Sequence, residues 1–208
     1  MSTVKKEVLT QKGRELFPAF KNFKDFYLAG GTGLALQIGH RISVDFDFFT
    51  GEFIPKSFLG AVEKSFSGRK VLLSVNNSEE LTVFIDKVKV TFLRYPFPLI
   101  GRLSEYGGVK AMDAKEIAVT KAYTIGRRGS FKDYVDLYFC LKEEIISLNE
   151  IISLAEKKYG QEFNARLFLE QLVLLEDVED VKIVFLKKKV DKREIEEFFK
   201  ERIKRIKI

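Results

Sequence analysis

The chemistry open to this chain is suggested first by two aspartates, Asp45 and Asp47, separated by a single residue. Residues 44–49 read VDFDFF, an alternation with the period of a β-strand, so both carboxylates should project from one face about 7 Å apart. Two carboxylates this close repel each other unless a cation lies between them, and Mg²⁺ prefers oxygen ligands. Such pairs serve phosphoryl transfer, where the metal neutralises charge on phosphate oxygens. The pair predicts a divalent-metal site.

An Asp-x-Asp pair is common, and the alternative is an acidic strand face that merely contacts solvent. The surrounding sequence favours the metal site, because Val44, Phe46 and Phe48 alternate with the aspartates. Apolar residues at these positions are predicted to lie on the opposite face of the strand. A strand with one apolar face of this kind is expected to be central in its sheet.

A second feature upstream points to an anion. A short apolar segment at residues 26–29 ends at Gly30 and Gly31, and a helical pattern follows over residues 32–40. Glycines in such a turn let backbone N–H groups approach a phosphate closely, and the N-terminus of the helix favours negative charge. Thr32 could add a hydroxyl donor. Together with the carboxylate pair, this turn predicts a nucleotide site.

The elements that position these residues follow from hydrophobic periodicity. Helices are predicted over residues 3–23, 32–40, 55–66, 113–126, 130–142, 148–159, 161–175 and 191–206. Strands are predicted over residues 26–29, 44–49, 70–75, 81–85 and 88–94, and residues 96–109 are expected to be irregular. The order predicts an α+β fold, with a domain over residues 1–145 and a C-terminal helical extension over residues 146–208.

Local signals place three boundaries within this plan. Asp86 and Lys87 lie between two alternating segments and predict a hairpin turn. Asp113 with Glu116, and Ser130 with Asp133, have the form of capping boxes that open two successive helices.

The composition restricts the environment of the protein. The chain has 208 residues and one cysteine, Cys140, so no disulfide can form within it and a reducing compartment is expected. The first 25 residues lack the apolar core of a signal peptide, and no segment is long and apolar enough to span a membrane. We therefore predict a cytoplasmic protein that does not enter a membrane.

The positive charge is concentrated at the C-terminus. Residues 182–208 contain eleven Lys or Arg and five Asp or Glu, which equals the net charge of +6 for the whole chain. A basic segment of this kind can attract phosphate backbones. The alternative, which mixed signs favour, is a solvated helix face whose charges pair with one another.

Two longer blocks carry a specific resemblance. Residues 28–49 read LAGGTGLALQIGHRISVDFDFF, and a second block reads AKEIAVTKA at 114–122 and RRGSFKDYVDLY at 127–138. Both resemble the AbiEii/AbiGii toxin family of nucleotidyltransferases, within the polymerase-β-like superfamily. The mark of that superfamily is a Gly-Gly or Gly-Ser turn, a short helix and an Asp-x-Asp strand. The resemblance spans residues 25–142.

The resemblance implies a polymerase-β-like core, a mixed sheet flanked by helices, followed here by C-terminal helices. It implies a nucleoside triphosphate, Mg²⁺ or Mn²⁺, and transfer of a nucleotide to RNA (a tRNA end being one candidate) or to protein. It further implies the toxin component of a toxin–antitoxin or phage-defence pair, with an antitoxin partner. By position it assigns metal binding and catalysis to Asp45 and Asp47, catalysis to Lys121, Asp133 and Asp136, and nucleotide binding to Gly30, Gly31, Thr32, Arg41 and Lys132.

Spacing is compatible with the roles in the second block. Asp133 and Asp136 are three residues apart on a predicted helix and share a face, and Lys132 is four residues from Asp136 and can pair with it. Lys121 offers a point charge to a phosphate oxygen. The alternative is a surface network of ion pairs on two packed helices. The only histidine, His40, could act as a base, but its place after a predicted helix end favours a packing role.

One feature of the superfamily is missing. Its active members commonly supply a third carboxylate from a neighbouring strand, whereas the polar face of residues 88–94 carries Lys89 and Thr91. The general base that would activate an acceptor hydroxyl is therefore not identified, and Asp133 or Asp136 could substitute. This gap keeps a second interpretation open, in which the protein binds a nucleotide or a partner without catalysis.

Overall fold

The computed structural model describes residues 5–206, without the side chains of Lys6 and Arg128. The chain forms two compact units. The first, the sheet unit, contains residues up to 98 and residues 102–113; the second, the helical unit, contains residues 99–101 and those from 114 onward. The compact units separate after residue 113. The domain boundary predicted after residue 145 remains a prediction.

The described part of the sheet unit contains a seven-stranded mixed sheet, which confirms the α+β prediction. Its strands are β1 Tyr27–Leu28, β2 Phe46–Thr50, β3 Val71–Asn76, β4 Glu80–Ile85, β5 Val88–Arg94, β6 Ser104–Tyr106 and β7 Val109–Ala111. Their order across the sheet is β3-β4-β5-β2-β1-β7-β6. β2 pairs in parallel with β5 and antiparallel with β1, so the Asp-x-Asp strand is central, as predicted.

The α-helices of the sheet unit within the described residues are α1 Gln11–Leu16, α2 Gly30–Ile38 and α3 Phe58–Ser65. The core is built largely from phenylalanine rings. The ring of Phe20 lies 4.7 Å from those of Phe46 and Phe48 and 5.4 Å from that of Phe66. Because Phe46 and Phe48 project from one face of β2 into this core, the intervening Asp47 must project from the other face.

Two predictions for the sheet unit are wrong. The helix predicted over residues 3–23 is broken into a 3₁₀ turn at Lys6–Val8, α1, and a second 3₁₀ segment at Phe17–Asn22, while residues 3 and 4 lie outside the described part. The break occurs where Leu9 bridges to Ser43 and Thr10 caps α1, its hydroxyl accepting from the N–H of Gly13. The segment predicted to be irregular contains the β6–β7 hairpin.

The predicted turn between β4 and β5 is confirmed. Asp86 and Lys87 both have positive φ angles, 49° and 74°, the backbone of the tight turn that matches the twist of a hairpin. The carboxylate of Asp86 accepts from the guanidinium of Arg69 at 2.9 Å and from the N–H of Lys70 at 3.1 Å. These bonds lower the pKa of Asp86, the Arg69 bond being the largest cause.

The helical unit contains α4 Ala114–Arg128, α5 Phe131–Lys142, α6 Leu148–Tyr159, α7 Ala165–Gln171 and α8 Lys192–Ile203. The capping box at Ser130 and Asp133 is confirmed, with Asp133 Oδ2 accepting from the Ser130 N–H at 2.9 Å. The predicted helix 161–175 is shorter, because a 3₁₀ turn at Gly160–Glu162 precedes α7. No helix of the described residues is both long and apolar enough to cross a membrane.

The basic C-terminal segment is rich in ion pairs. On α8, Arg193 Nε lies 3.0 Å from Glu197, and Lys204 Nζ, just after the helix, lies 2.6 Å from Glu201. Before the helix, Lys187 Nζ lies 2.5 Å from Glu143. This arrangement favours the interpretation of a solvated, charge-paired helix face, and the nucleic-acid interpretation stays a prediction.

Candidate active site

The two aspartates lie side by side on β2 and immediately before it. Asp45 precedes the strand and Asp47 is its second residue, and both are partly exposed while Phe46 and Phe48 are 1% exposed. The predicted alternation is therefore confirmed at these positions. Val44 is an exception: it is 45% exposed, because the ladder with β5 begins only at Phe46.

The N-terminus of α2 lies against Asp47. The backbone N–H of Ala29 donates to the carbonyl of Asp47 at 2.8 Å, and the helix begins at the next residue, Gly30. This is two residues earlier than predicted, so Gly30 and Gly31 form the first turn of the helix. Gly30 has a φ of +59°, and a Cβ added there would lie 2.7 Å from Asp47 Oδ2. Any other residue would be strained at this φ and would have to displace the Asp47 carboxylate.

This contact has an electrostatic consequence. The first N–H groups of an α-helix have no partners within the helix, and the helix dipole adds partial positive charge at that end. The Asp47 carboxylate therefore lies next to a helix end that attracts anions. Such an arrangement suits a cation that bridges the carboxylate to a phosphate.

Thr32 acts within the protein. It is 2% exposed, and its hydroxyl bonds to the carbonyl of Asp45 and, at 2.7 Å, to Ser43 Oγ. These bonds tie α2 to the residue that carries the first carboxylate, so the structure gives Thr32 a positioning role. Contact between its hydroxyl and a nucleotide stays a prediction.

The other predicted residues near α2 are buried. Arg41 is 3% exposed, with Nη1 donating to the carbonyl of Ile42 at 3.3 Å. His40 is fully buried, which agrees with the packing role. The nucleotide-binding role of Arg41 is not tested by these contacts.

The residue paired with Asp47 on the neighbouring strand is Thr91. On the next strand, Thr91 pairs with Thr82, and their hydroxyl oxygens are 3.2 Å apart. Thr82 Oγ1 donates to Glu80 Oε1 at 2.6 Å. The position where a third strand carboxylate was sought is thus occupied by a hydroxyl. The polar residues of β4 were missed by sequence reasoning, although Glu80 and Thr82 alternate in the same way as Lys89 and Thr91.

The donors at Asp45 and Asp47 fit Mg²⁺ or Mn²⁺. Within residues 5–206 no cluster of three or more His, Cys, Asp or Glu is arranged to hold a metal ion. Mg²⁺ commonly takes only one or two protein carboxylates and completes its shell with water and substrate phosphate oxygens. Two carboxylates beside a helix N-terminus match that requirement.

The second set of predicted residues forms a buried cluster in the helical unit. Lys121 Nζ on α4 lies 2.5 Å from Asp133 Oδ1 and 2.9 Å from Asp136 Oδ2 on α5. The side chain of Asp136 is 0% exposed and that of Lys121 is 10% exposed. The predicted pair of Lys132 with Asp136 is wrong, because Lys121 binds Asp136 and Lys132 takes part in no ion pair among the described residues. The ion-pair network exists, but it is buried and not at the surface.

The surroundings of this cluster disfavour further negative charge. Burial, with a contribution from the charge of Asp133, raises the pKa of Tyr134 to about 12. Burial is also the main cause that raises the pKa of the Cys140 thiol, and Asp136 adds to it. Cys140 is therefore a buried packing residue and not a reactive thiolate.

A further buried ion pair in the helical unit was not anticipated. Lys158 Nζ on α6 lies 2.5 Å from Glu116 Oε1 on α4, and the Glu116 carboxylate also accepts from the N–H groups of Ile100 and Gly101, each at 3.0 Å. Glu116 was predicted to complete a capping box with Asp113, and these partners replace that role. Forty-two residues separate Glu116 from Lys158, so no local pattern could reveal the pair.

The central strand of the mixed sheet carries Asp47, with Asp45 just before it, beside the Gly-Gly N-terminus of α2, which is the arrangement that the resemblance to nucleotidyltransferases implies. The nucleotidyl transferase AbiEii toxin family, a type IV toxin–antitoxin system, matches residues 14–207. The chain belongs to that family. It is also 34% identical to an uncharacterized protein of Aquifex aeolicus (strain VF5) over 187 residues, which cover 86% of this chain and 87% of that one.

Solved structures agree on the fold. MenT4, a nucleotidyltransferase toxin from Mycobacterium tuberculosis H37Rv, aligns with a TM-score of 0.60 at 16% identity, covering 90% of this chain and 80% of that one. JHP933 from Helicobacter pylori aligns with a TM-score of 0.53 at 16% identity, covering 94% and 97% of the two chains. At this identity the likeness shows the fold alone.

Proposed function

We propose that this protein is a toxin that uses a divalent metal ion to transfer a nucleotide from a nucleoside triphosphate to a hydroxyl of an RNA or protein acceptor. The family supports nucleotidyl transfer and a toxin–antitoxin context. The single observation that carries the metal-dependent part is the position of Asp47 on the central strand β2, against the N-terminus of α2, with Asp45 immediately before that strand.

The residues of the proposed site have separate roles in metal binding, phosphate binding and positioning. Asp45 and Asp47 would hold Mg²⁺ or Mn²⁺, which, when bound, neutralises charge on the triphosphate oxygens. The first N–H groups of α2, from Gly30 and Gly31, lie where they can donate to a phosphate oxygen. The acceptor oxygen attacks the α-phosphorus, and the bond to the β-phosphate breaks to release pyrophosphate. Thr32 keeps the backbone of Asp45 in place during this reaction.

For Lys121, Asp133 and Asp136, the contacts support a structural role more directly than a catalytic one. Lys121 is bound by two carboxylates of its own unit, and Asp133 also caps α5 through Ser130. These contacts support a role for the cluster in holding α4 against α5. Phosphate binding by Lys121, Lys132 or Arg41, and catalysis by Asp133 or Asp136, remain predictions of the family resemblance.

The proposal is tested by labelling. The purified protein is incubated with each NTP labelled at its α-phosphate, with Mg²⁺ and with a total extract of RNA and protein. We expect transfer of label to one class of acceptor, and a loss of at least about 1,000-fold in Asp45→Asn and Asp47→Asn, since both remove charge where the metal binds. Asp25→Asn removes an exposed carboxylate elsewhere and serves as the matched control.

A second measurement separates metal binding from catalysis. Mn²⁺ affinity, followed by electron paramagnetic resonance in the presence of NTP, should fall in the same two variants and not in Asp25→Asn. Label transfer that persists in Asp45→Asn and Asp47→Asn would reject the metal site. Co-expression with a candidate antitoxin should relieve any growth arrest that the wild-type protein causes.

One observation favours a second candidate function. Thr91, and not a carboxylate, is the partner of Asp47 on β5, which suits a protein that binds a nucleotide without transferring it. NTP affinity in the wild-type protein without transfer to any acceptor would support this alternative.

A further inference from the structure

The hydroxyl chain beside Asp47 ends on a carboxylate. Its members alternate on one face of β4 and β5: Thr91 lies opposite Asp47, Thr82 lies opposite Thr91, and Glu80 is two residues before Thr82. Adjacent strands are about 4.8 Å apart, so neighbouring side chains on this face are within reach of one another. The chain thus extends from the proposed metal site to a carboxylate two strands away.

The direction of the hydrogen bonds follows from the chemistry of the groups. A carboxylate can only accept, so the single proton of Thr82 is donated to Glu80 Oε1 across 2.6 Å. The 3.2 Å contact between the two threonines must then be a bond donated by Thr91 to Thr82 Oγ1. This order leaves Thr91 Oγ1, the end nearest Asp47, able to accept a proton.

The burial of the chain suits proton transfer. Thr82 is 3% exposed, so its hydroxyl is shielded from solvent, whereas Glu80 and Thr91 at the two ends are partly exposed. Among the described residues, the side chains of Thr82 and Glu80 make no other hydrogen bond that would compete. A shielded middle and two accessible ends are what a relay between an acceptor hydroxyl and water requires.

We propose that Thr91, Thr82 and Glu80 form a proton relay that replaces the missing third carboxylate of the sheet. The proposal rests on the proposed nucleotidyl transfer. As the acceptor oxygen bonds to the α-phosphorus, its proton passes to Thr91 Oγ1, the Thr91 proton passes to Thr82, and the Thr82 proton passes to Glu80. Pyrophosphate leaves with the electron pair of the broken P–O bond, and Glu80 returns its proton to water.

The first test removes each hydroxyl without changing the shape of the side chain. Because general-base catalysis contributes about 100-fold or more, Thr91→Val, Thr82→Val and Glu80→Gln should each lower kcat for label transfer about 100-fold with little change in the KM for NTP. Thr91→Ser and Thr82→Ser keep the hydroxyl and should stay within about threefold of wild type. Glu79→Gln is the matched control, because Glu79 precedes Glu80 but pairs with Arg94.

The second test bypasses the relay. Thr91→Asp places a carboxylate at the position opposite Asp47, so kcat should no longer depend on Glu80. Glu80→Gln should then change kcat less than about threefold in the Thr91→Asp background, against about 100-fold in the wild-type background. Thermal unfolding and NTP binding of each variant, measured separately from activity, identify any loss that reflects stability or substrate binding alone.

The outcomes separate the relay from the proposed function. Wild-type kcat in Thr91→Val and Glu80→Gln, with the Asp47→Asn variant inactive, would overturn the relay and leave the metal site intact. A loss in Thr91→Val that serine does not restore and that follows the melting temperature would show a structural role, and also overturn it. Absence of transfer by the wild-type protein would overturn both proposals.

Discussion

The protein contains two pairs of aspartates that the sequence assigned to one candidate site, and the two pairs differ in how deeply they are buried. Asp45 and Asp47 lie partly exposed on the sheet, and Asp45 has no ion pair among the described residues. Asp133 and Asp136 are bound by Lys121, and the Asp136 side chain is fully buried. Asp133 and Asp136 share a face of α5, as their spacing predicted, because both contact Lys121.

The difference lies in where the compensating charge comes from. In the helical unit the protein supplies its own lysine, so the charges are balanced within the fold. On the sheet, no ion pair of Asp45 is found among the described residues, and Asp47 lies against the N-terminus of α2. Partly exposed carboxylates near a helix N-terminus suit a binding site, whereas a lysine held by two carboxylates in a buried cluster suits a structural tie.

The largest expected difference between the two pairs of aspartates is in their effect on stability. Lys121→Met leaves two buried carboxylates without their cation and should lower the free energy of unfolding by about 3–5 kcal/mol. Asp45→Asn removes a partly exposed charge and should change it by less than about 1 kcal/mol. Urea denaturation of both variants measures the two values. A Lys121→Met protein of normal stability with much weaker NTP binding would contradict the structural role and place Lys121 in the nucleotide site.

The next effect concerns glycine in the two regions. Gly30→Ala introduces a Cβ at a φ of +59°, 2.7 Å from Asp47 Oδ2, and should cost about 1–3 kcal/mol of stability and at least about tenfold in Mn²⁺ affinity. Gly126→Ala, on α4, meets no atom within 4 Å and should stabilise the helix by up to about 1 kcal/mol. The melting temperature should therefore fall in Gly30→Ala and rise slightly in Gly126→Ala, and Mn²⁺ affinity should fall only in Gly30→Ala. Equal, small effects would mean that the close approach to Asp47 is unimportant.

The smallest effect is a pH dependence of the helical unit. The pKa of Tyr134 is raised to about 12 and that of Tyr138 to about 12, each chiefly by burial. Because the raised value belongs to the folded state, the stabilisation is complete below the unfolded pKa of about 10 and is lost as pH rises through 12. Tyr134→Phe should reduce the fall in melting temperature between pH 9 and pH 11. An unchanged fall would exclude Tyr134 as its source.

Local patterns predicted most single elements of the sheet unit. The segments 70–75, 81–85 and 88–94 correspond to β3, β4 and β5 within one residue, and the turn at Asp86 and Lys87 is correct. These elements were predictable because alternation and turn preference are properties of neighbours in the chain. The β6–β7 hairpin was missed because its strands have three residues each, too few to show a period.

The N-terminal segment shows the limit of periodicity. An apolar stripe over residues 3–23 suits a single helix, yet Leu9 instead bridges to Ser43, and Val8 accepts the N–H of Ser43 at 2.8 Å. A contact with a residue 34 positions away outweighed the local preference. Tertiary contacts override helix propensity because each residue's propensity contributes only a fraction of a kcal/mol.

For the site, the sequence alone located the strand that carries Asp47, with Asp45 just before it, after a Gly-Gly helix start, because these facts depend on spacing of a few residues. It also determined the family, through two blocks of residues. Only the tertiary structure decided which residue lies opposite Asp47, where Gly30 meets it, and that Lys121 is held by both Asp133 and Asp136. Strand register and helix packing join residues distant in the chain, and no local pattern records them.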